Sequence, residues 1–265
     1  GGWVAASGLL AWFYLWADSL IVGMYLGSHE LGLYRTGNAF VMMVYGFLFG
    51  PLMPVLYSHL SGIQYDRERV KKNLFKVIKI ITFISIPIAI LVYANAPLIA
   101  EVVFGAKWQG VELVVAVMAL THGYAWVVGA NGEAYRAVGA PVYETKIMAF
   151  ALLFYIFGYW LSIQHSFEVF LWTRLGLALA TLSIHFFVAW KAVNLLVKPV
   201  VAYVLKISII CTLAVFVVNL IPCDIGLTNQ FTTLSLGVFL IASALWLVER
   251  NGIILSLYAT ASKEC

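Results

Sequence analysis

Eight stretches of the chain stay apolar at almost every position for about the length needed to cross a bilayer: 3–27, 37–60, 78–99, 110–131, 147–163, 168–190, 200–222 and 231–248. Polar residues gather between these runs and seldom interrupt them. No run alternates apolar and polar side chains as a half-buried strand would, so helices, not a barrel, must satisfy the backbone in lipid. The pattern predicts an all-α polytopic membrane protein of about eight transmembrane helices. The last two runs are smoother than the first six and carry no acid. They divide the chain into a six-helix unit over 1–190 and a two-helix appendage with a short tail over 191–265.

Composition strengthens this reading. The chain is 63% hydrophobic and only 11% charged, which is far from the balance of a soluble domain. Its formal charge of +4 raises the question of nucleic acid, and the placement of the charges answers it. Arg67, Arg69, Lys71, Lys72, Lys76, Lys79, Arg136, Lys146, Lys191, Lys198, Lys206, Arg250 and Lys263 lie beside alternate connections, whereas the opposite connections hold only Arg35 and Lys107. Such asymmetry is the positive-inside signal of a membrane protein, with anionic membrane lipid as the natural neighbour of the 67–79 cluster. It predicts a multi-pass protein with both termini cytoplasmic and no nucleic-acid partner. The chain opens on glycine without a basic, cleavable leader, like the interior of something longer. Cys211, Cys223 and Cys265 have no paired-ligand spacing, and no disulfide, metal or catalytic role is expected of them.

Several runs are punctuated. Gly46, Gly50, Pro51 and Pro54 fall inside the second, so a kink or break is expected near 47–51. Pro87 predicts a kink, Pro97 a helix end and Pro141 a turn. Gly23/Gly27 and Gly46/Gly50 have the small-xxx-small spacing of close helix packing. In the fourth run, Glu133 and Arg136 are three apart and would pair on one helix face. Most tryptophans fall near predicted helix ends, as an aromatic belt requires, but Trp12, Tyr14, Trp16 and Trp126 lie deeper, where their faces would pack in a core or stack on sugar rings.

The ionisable residues inside the runs are the candidates for chemistry, because each costs roughly 2.5–3.5 kcal/mol to insert. Asp18 lies about nine residues from the end of the first run. Arg174 lies about six residues into the sixth, roughly 9 Å deep at 1.5 Å per residue. Arg35 opens the second run on the same side. The three charges are expected to share one face or half-cavity, either as a structural ion pair or as a ligand-facing site. His122 sits near mid-membrane, with a satisfied core histidine as the alternative reading.

Five fragments, in order, resemble a known family: Asp18-Ser-Leu-Ile-Val-Gly23-Met-Tyr-Leu-Gly27 with Glu30-Leu-Gly32-Leu-Tyr34; Pro54-Val-Leu-Tyr-Ser58-His-Leu-Ser61; Asp66-Arg67-Glu68-Arg69; Phe104-Gly105-Ala-Lys107-Trp108; and Ala134-Tyr135-Arg136-Ala-Val-Gly139. Over residues 11–140 they are similar to the second lobe of polysaccharide and lipid-linked oligosaccharide flippases, within the multidrug, oligosaccharidyl-lipid and polysaccharide exporter superfamily. Beyond residue 146 only hydropathy agrees. The resemblance implies two six-helix lobes around a central cavity, the chain supplying the second lobe and the extra helix pair. An N-terminal lobe or partner half would then be missing, and the chain would be a fragment or one half of a split transporter.

The resemblance further implies flipping of an undecaprenyl-diphosphate-linked glycan across the bacterial inner (plasma) membrane, by alternating access and without bond-breaking catalysis or a cofactor. On that footing Arg35 and Arg174 would contact the anionic headgroup. Asp18 would couple an ion or orient an arginine, and Asn38, His122 and Tyr124 would meet glycan hydroxyls. Three rivals stand beside this expectation: a membrane-embedded enzyme of surface-polysaccharide or lipopolysaccharide biosynthesis, an assembly subunit, and a small-molecule exporter of the same architecture. The short outer loops and scattered histidines speak against the enzyme.

Overall fold

The computed structural model describes residues 2–220 and 227–250, and every described element is helical. Cys223, Cys265 and Lys263 lie outside the described residues. The elements are α1 (Gly2–Tyr25), α2 (Ser28–Phe49), α3 (Leu52–Gly62), α4 (Arg67–Ala94), α5 (Ala96–Ile99), a π-helical turn (Ala100–Phe104), a 3-10 turn (Ala106–Trp108), α6 (Val111–Val127), α7 (Gly129–Ala137), α8 (Val142–Ile163), α9 (Phe167–Val193), α10 (Val197–Asn219) and α11 (Leu227–Glu249). Seven spans among the described residues are long and apolar enough to cross a membrane, or eight when α2 and α3 count as one broken span.

The break falls where the glycines and prolines put it. α2 ends at Phe49, α3 starts at Leu52, and the two axes diverge by 41°. Pro51 lacks the N–H that would continue the ladder, and its ring clashes with the preceding turn. Pro87, by contrast, is carried inside an uninterrupted α4. That helix starts at Asp66, whose carboxylate accepts the Arg69 N–H at 3.0 Å. α9 starts in the same way at Ser166, which caps Val169 at 3.1 Å.

α6 is the central post of the bundle, enclosed by α2, α4 and α9, while α1 lies against α8 and α2 on one flank. The post is close-packed at two glycines. A Cβ at Gly37 would come within 2.8 Å of Val114 Cγ1, and one at Gly123 within 2.4 Å of Ala89 Cβ. Tyr45 ties three helices together by donating toward the carbonyls of Ser85 (3.3 Å) and Ala119 (3.2 Å). The close crossings are therefore not those expected of the small-xxx-small pairs. Gly46 and Gly27 face open space, Gly50 is crowded only by the Gly46 carbonyl of its own turn, and Gly23 meets one Leu31 methyl. Gly27 instead adopts φ +94°, the left-handed backbone that turns α1 into α2. α10 packs along α4 and carries α11 with it.

Candidate functional site

Asp18, Tyr34 and Arg174 meet in the interior because they sit at matching depths. Asp18 is seven residues before the end of α1, Tyr34 six after the start of α2 and Arg174 seven after the start of α9. At 1.5 Å per residue each is about 10 Å from the same end of the bundle. Arg174 Nη1 donates to Asp18 Oδ2 and to the Tyr34 hydroxyl, and Tyr34 donates to Asp18 Oδ2 at 2.7 Å. Asp18 and Arg174 are only 1% and 7% exposed. Two opposite charges and a phenol thus share one buried node, where each charge compensates the other's desolvation.

Arg35 joins this node from outside. Its Nη1 donates to Ser19 Oγ at 3.2 Å, and Ser19 Oγ donates to Asp18 Oδ1 at 3.0 Å. The guanidinium lies over the Trp16 ring, 4.3 Å from its centre, in a cation–π stack. Arg35 itself is exposed, and Trp16 and Trp12 beside it are 37% and 56% exposed. A positively charged shelf therefore stands on the α1–α2 face, anchored to the buried pair through one serine.

On its inner side Arg174 borders a cavity of about 210 Å³ between α1, α6, α8 and α9. Tyr14, His122, Tyr155, Thr181 and His185 contribute its polar wall. The Nε of Arg174 and Nδ1 of His185 find no hydrogen-bond partner among the described residues. His122 Nε2 lies 2.8 Å from Asn38 Oδ1, a pair bridging α6 and α2. Because an amide oxygen only accepts, Nε2 is the donor of this contact.

Five of the six residues singled out from the sequence are thus gathered into one region: Asp18, Arg35 and Arg174 in one network, Asn38 and His122 in a neighbouring pair. Tyr124 is not among them. It is two residues from His122 on α6, hence on another face, and donates to Ser208 Oγ on α10 at 2.9 Å. Glu133 and Arg136 pair on α7 as their spacing requires, and Arg136 also reaches Glu144 on α8 at 3.7 Å. Among the described residues no three His, Cys, Asp or Glu side chains gather as metal ligands do.

Sequence reasoning passed over Tyr34, Ser19 and His185. The first two carry no charge, and nothing in a lone sequence says that a tyrosine sixteen residues from an aspartate will reach it. His185 did leave a signal. Arg174, Ala178, Thr181 and His185 follow at helical spacing, and all four line the cavity.

Residues 1–112, less than half of the chain, match the family model of a polysaccharide biosynthesis protein. No curated protein matches the chain, and neither does any solved structure. The match spans α1 to the start of α6, the stretch that carries Asp18, Tyr34, Arg35 and Asn38.

Proposed function

We propose that the chain forms a lobe of a membrane transporter that moves lipid-linked oligosaccharide or polysaccharide units from one leaflet to the other. The observation that carries this reading is the Arg35 shelf: an exposed guanidinium held over the Trp16 ring and tethered by Ser19 to the buried Asp18–Arg174 pair, within the stretch matched by the family model. An arginine can grip a phosphate or diphosphate through paired N–H groups, and exposed indole faces suit a sugar ring. A lipid tail would stay in the bilayer while the headgroup crosses.

The two arginines then divide the work. Arg174 is spent on Asp18 and Tyr34, and so positions the shelf without itself meeting substrate; Arg35 makes the contact. Asp18 serves as the acid that orients the arginines. The rocking motion would draw on the α2–α3 break, the least regular point of the bundle. A facing lobe or partner half completes the cavity in this scheme, which places the protein in a bacterial inner membrane with the basic connections in the cytoplasm.

The test is surface-glycan export in cells that rely on this protein. Arg35→Gln should abolish export at unchanged protein level, and Arg35→Lys should restore it only in part, because an ammonium neither forks nor stacks as a guanidinium does. Full export by Arg35→Gln would remove the shelf from the mechanism.

A further inference from the structure

A second positively charged site lies at the other end of the bundle, where α9 turns into α10 beside α4. Asn194, at φ 55°, ends α9 in the left-handed conformation. Arg67 seals that end by donating to the Ala192 carbonyl at 2.9 Å. The turn leaves an open trough of about 350 Å³, with Lys71, Lys72 and Phe75 of α4 on one wall and Leu195, Leu196 and Pro199 on the other. A second hollow shares Leu196 and Pro199 and adds Trp190 and Lys198.

The charges round this trough are unevenly committed. Glu68, the acid on its wall, is taken up by Lys71 at 2.8 Å. Lys79 rests over the Tyr203 ring, 4.7 Å from its centre. Lys72, Lys76 and Lys198 are exposed and have no hydrogen bond or ion pair among the described residues. Lys72, Lys76 and Lys79 follow at i, i+4 and i+7, which lines them up along one stripe of α4. Positive-inside topology accounts for lysines near a membrane surface, but not for an apolar trough beside Lys71 and Lys72 of α4 that adjoins, at Leu196 and Pro199, a hollow bearing Lys198 of α10.

Beyond the trough, α10 offers further exposed apolar side chains. Leu196 is 61% exposed where the turn meets α10, and Leu205, Ile209 and Leu213 carry the exposed apolar face down that helix. An occupant must therefore be anionic at the lysines and hydrocarbon below them. A free phosphate would waste the trough, and a nucleic acid or acidic peptide would bury Leu196 against polar groups.

We propose that the α4–α9–α10 junction binds an acidic diacyl phospholipid, with its phosphate held by Lys72, Lys76 and Lys198 and an acyl chain laid along Leu196 and the α10 face. Such a lipid would fasten the last two helices to the rest of the bundle. The site is independent of the Arg35 shelf and of what that shelf transports.

The test is native mass spectrometry of the full chain in detergent, titrated with phosphatidylglycerol or phosphatidylcholine and challenged with glycerol phosphate. Each lysine at an anionic surface contributes about fivefold. The K72Q/K76Q/K198Q variant should therefore lose at least about tenfold in phosphatidylglycerol retention, while its phosphatidylcholine retention stays constant. The corresponding triple arginine variant should retain the lipid, and K107Q, on the opposite connection, should behave as the parent. If the triple glutamine variant fails to fold, K72Q and K198Q singly should each lose about fivefold. Undiminished phosphatidylglycerol retention in the glutamine variants would overturn the site, as would equal retention of both lipids by the parent. Displacement by millimolar glycerol phosphate would overturn it too, since it would mark a free-phosphate site.

Discussion

Replacing Asp18 with asparagine keeps the size of the side chain and removes its charge, which isolates what the buried pair contributes. Arg174 is 7% exposed and binds Asp18 and Tyr34 through one guanidinium nitrogen, while its Nε already lacks a partner among the described residues. With the carboxylate gone, an uncompensated cation remains in the interior of the bundle. Breaking a buried pair from one side costs about 3–5 kcal/mol. At about 2–4 °C per kcal/mol for a chain of this size, the melting midpoint in detergent should fall by roughly 6–20 °C.

Removing both charges should hurt much less. Asp18→Asn with Arg174→Met leaves no orphan ion, and buried pairs replaced by apolar groups are often close to neutral. The assay is a double-mutant cycle on thermal unfolding, read by intrinsic fluorescence with size-exclusion as a check on monodispersity. The account requires a coupling of at least about 2 kcal/mol between the sites, in the sense that the double variant is more stable than Asp18→Asn alone. Additive losses, or an Asp18→Asn variant as stable as the parent, would refute the claim that the two charges hold each other in the interior.

Three further outcomes follow from the packing. Gly123→Ala forces a Cβ to 2.4 Å from Ala89 Cβ and 2.9 Å from the Tyr45 hydroxyl. It should cost about 1–3 kcal/mol, whereas Gly46→Ala, in open space inside α2, should be neutral or slightly stabilising in the same melting assay. Gly27→Ala meets no atom within 4 Å but must hold φ +94°; it should cost about 1–2 kcal/mol through the backbone alone. Tyr34→Phe keeps the ring and deletes the hydroxyl that bonds Asp18 at 2.7 Å. It should lower stability by about 1–3 kcal/mol, less than Asp18→Asn, because the ion pair survives.

Much of this architecture could be read from the chain before any coordinates. The spans and the broken second run are written in apolar length and in proline chemistry, both local properties, and the α2–α3 bend falls at Gly50 and Pro51. The meeting of Asp18 with Arg174 was legible as a shared depth, since charges in lipid must find partners. Which charge would be sealed and which left exposed was not legible. That depends on Tyr34 and Ser19, uncharged residues whose reach is set by how α1, α2 and α9 turn about their axes. The small-xxx-small glycines misled for the same reason: spacing says that two residues share a helix face, not which face meets a neighbour. Close approaches are made instead at Gly37 and Gly123, whose Cβ atoms would meet Val114 and Ala89. Tyr124 shows the limit from the other side. It is near His122 in sequence, and the helix turns it toward α10.

The central claim is that this protein carries a lipid-linked glycan across the membrane on the Arg35 shelf. The most direct measurement is the leaflet in which that glycan resides, read by labelling with a membrane-impermeant reagent in cells that lack the protein and in cells that re-express it. The account predicts that the glycan becomes inaccessible from outside when the protein is lost, and that the parent restores access while Arg35→Gln, equally abundant, does not. Unchanged labelling in cells without the protein, or full restoration by Arg35→Gln, would contradict it.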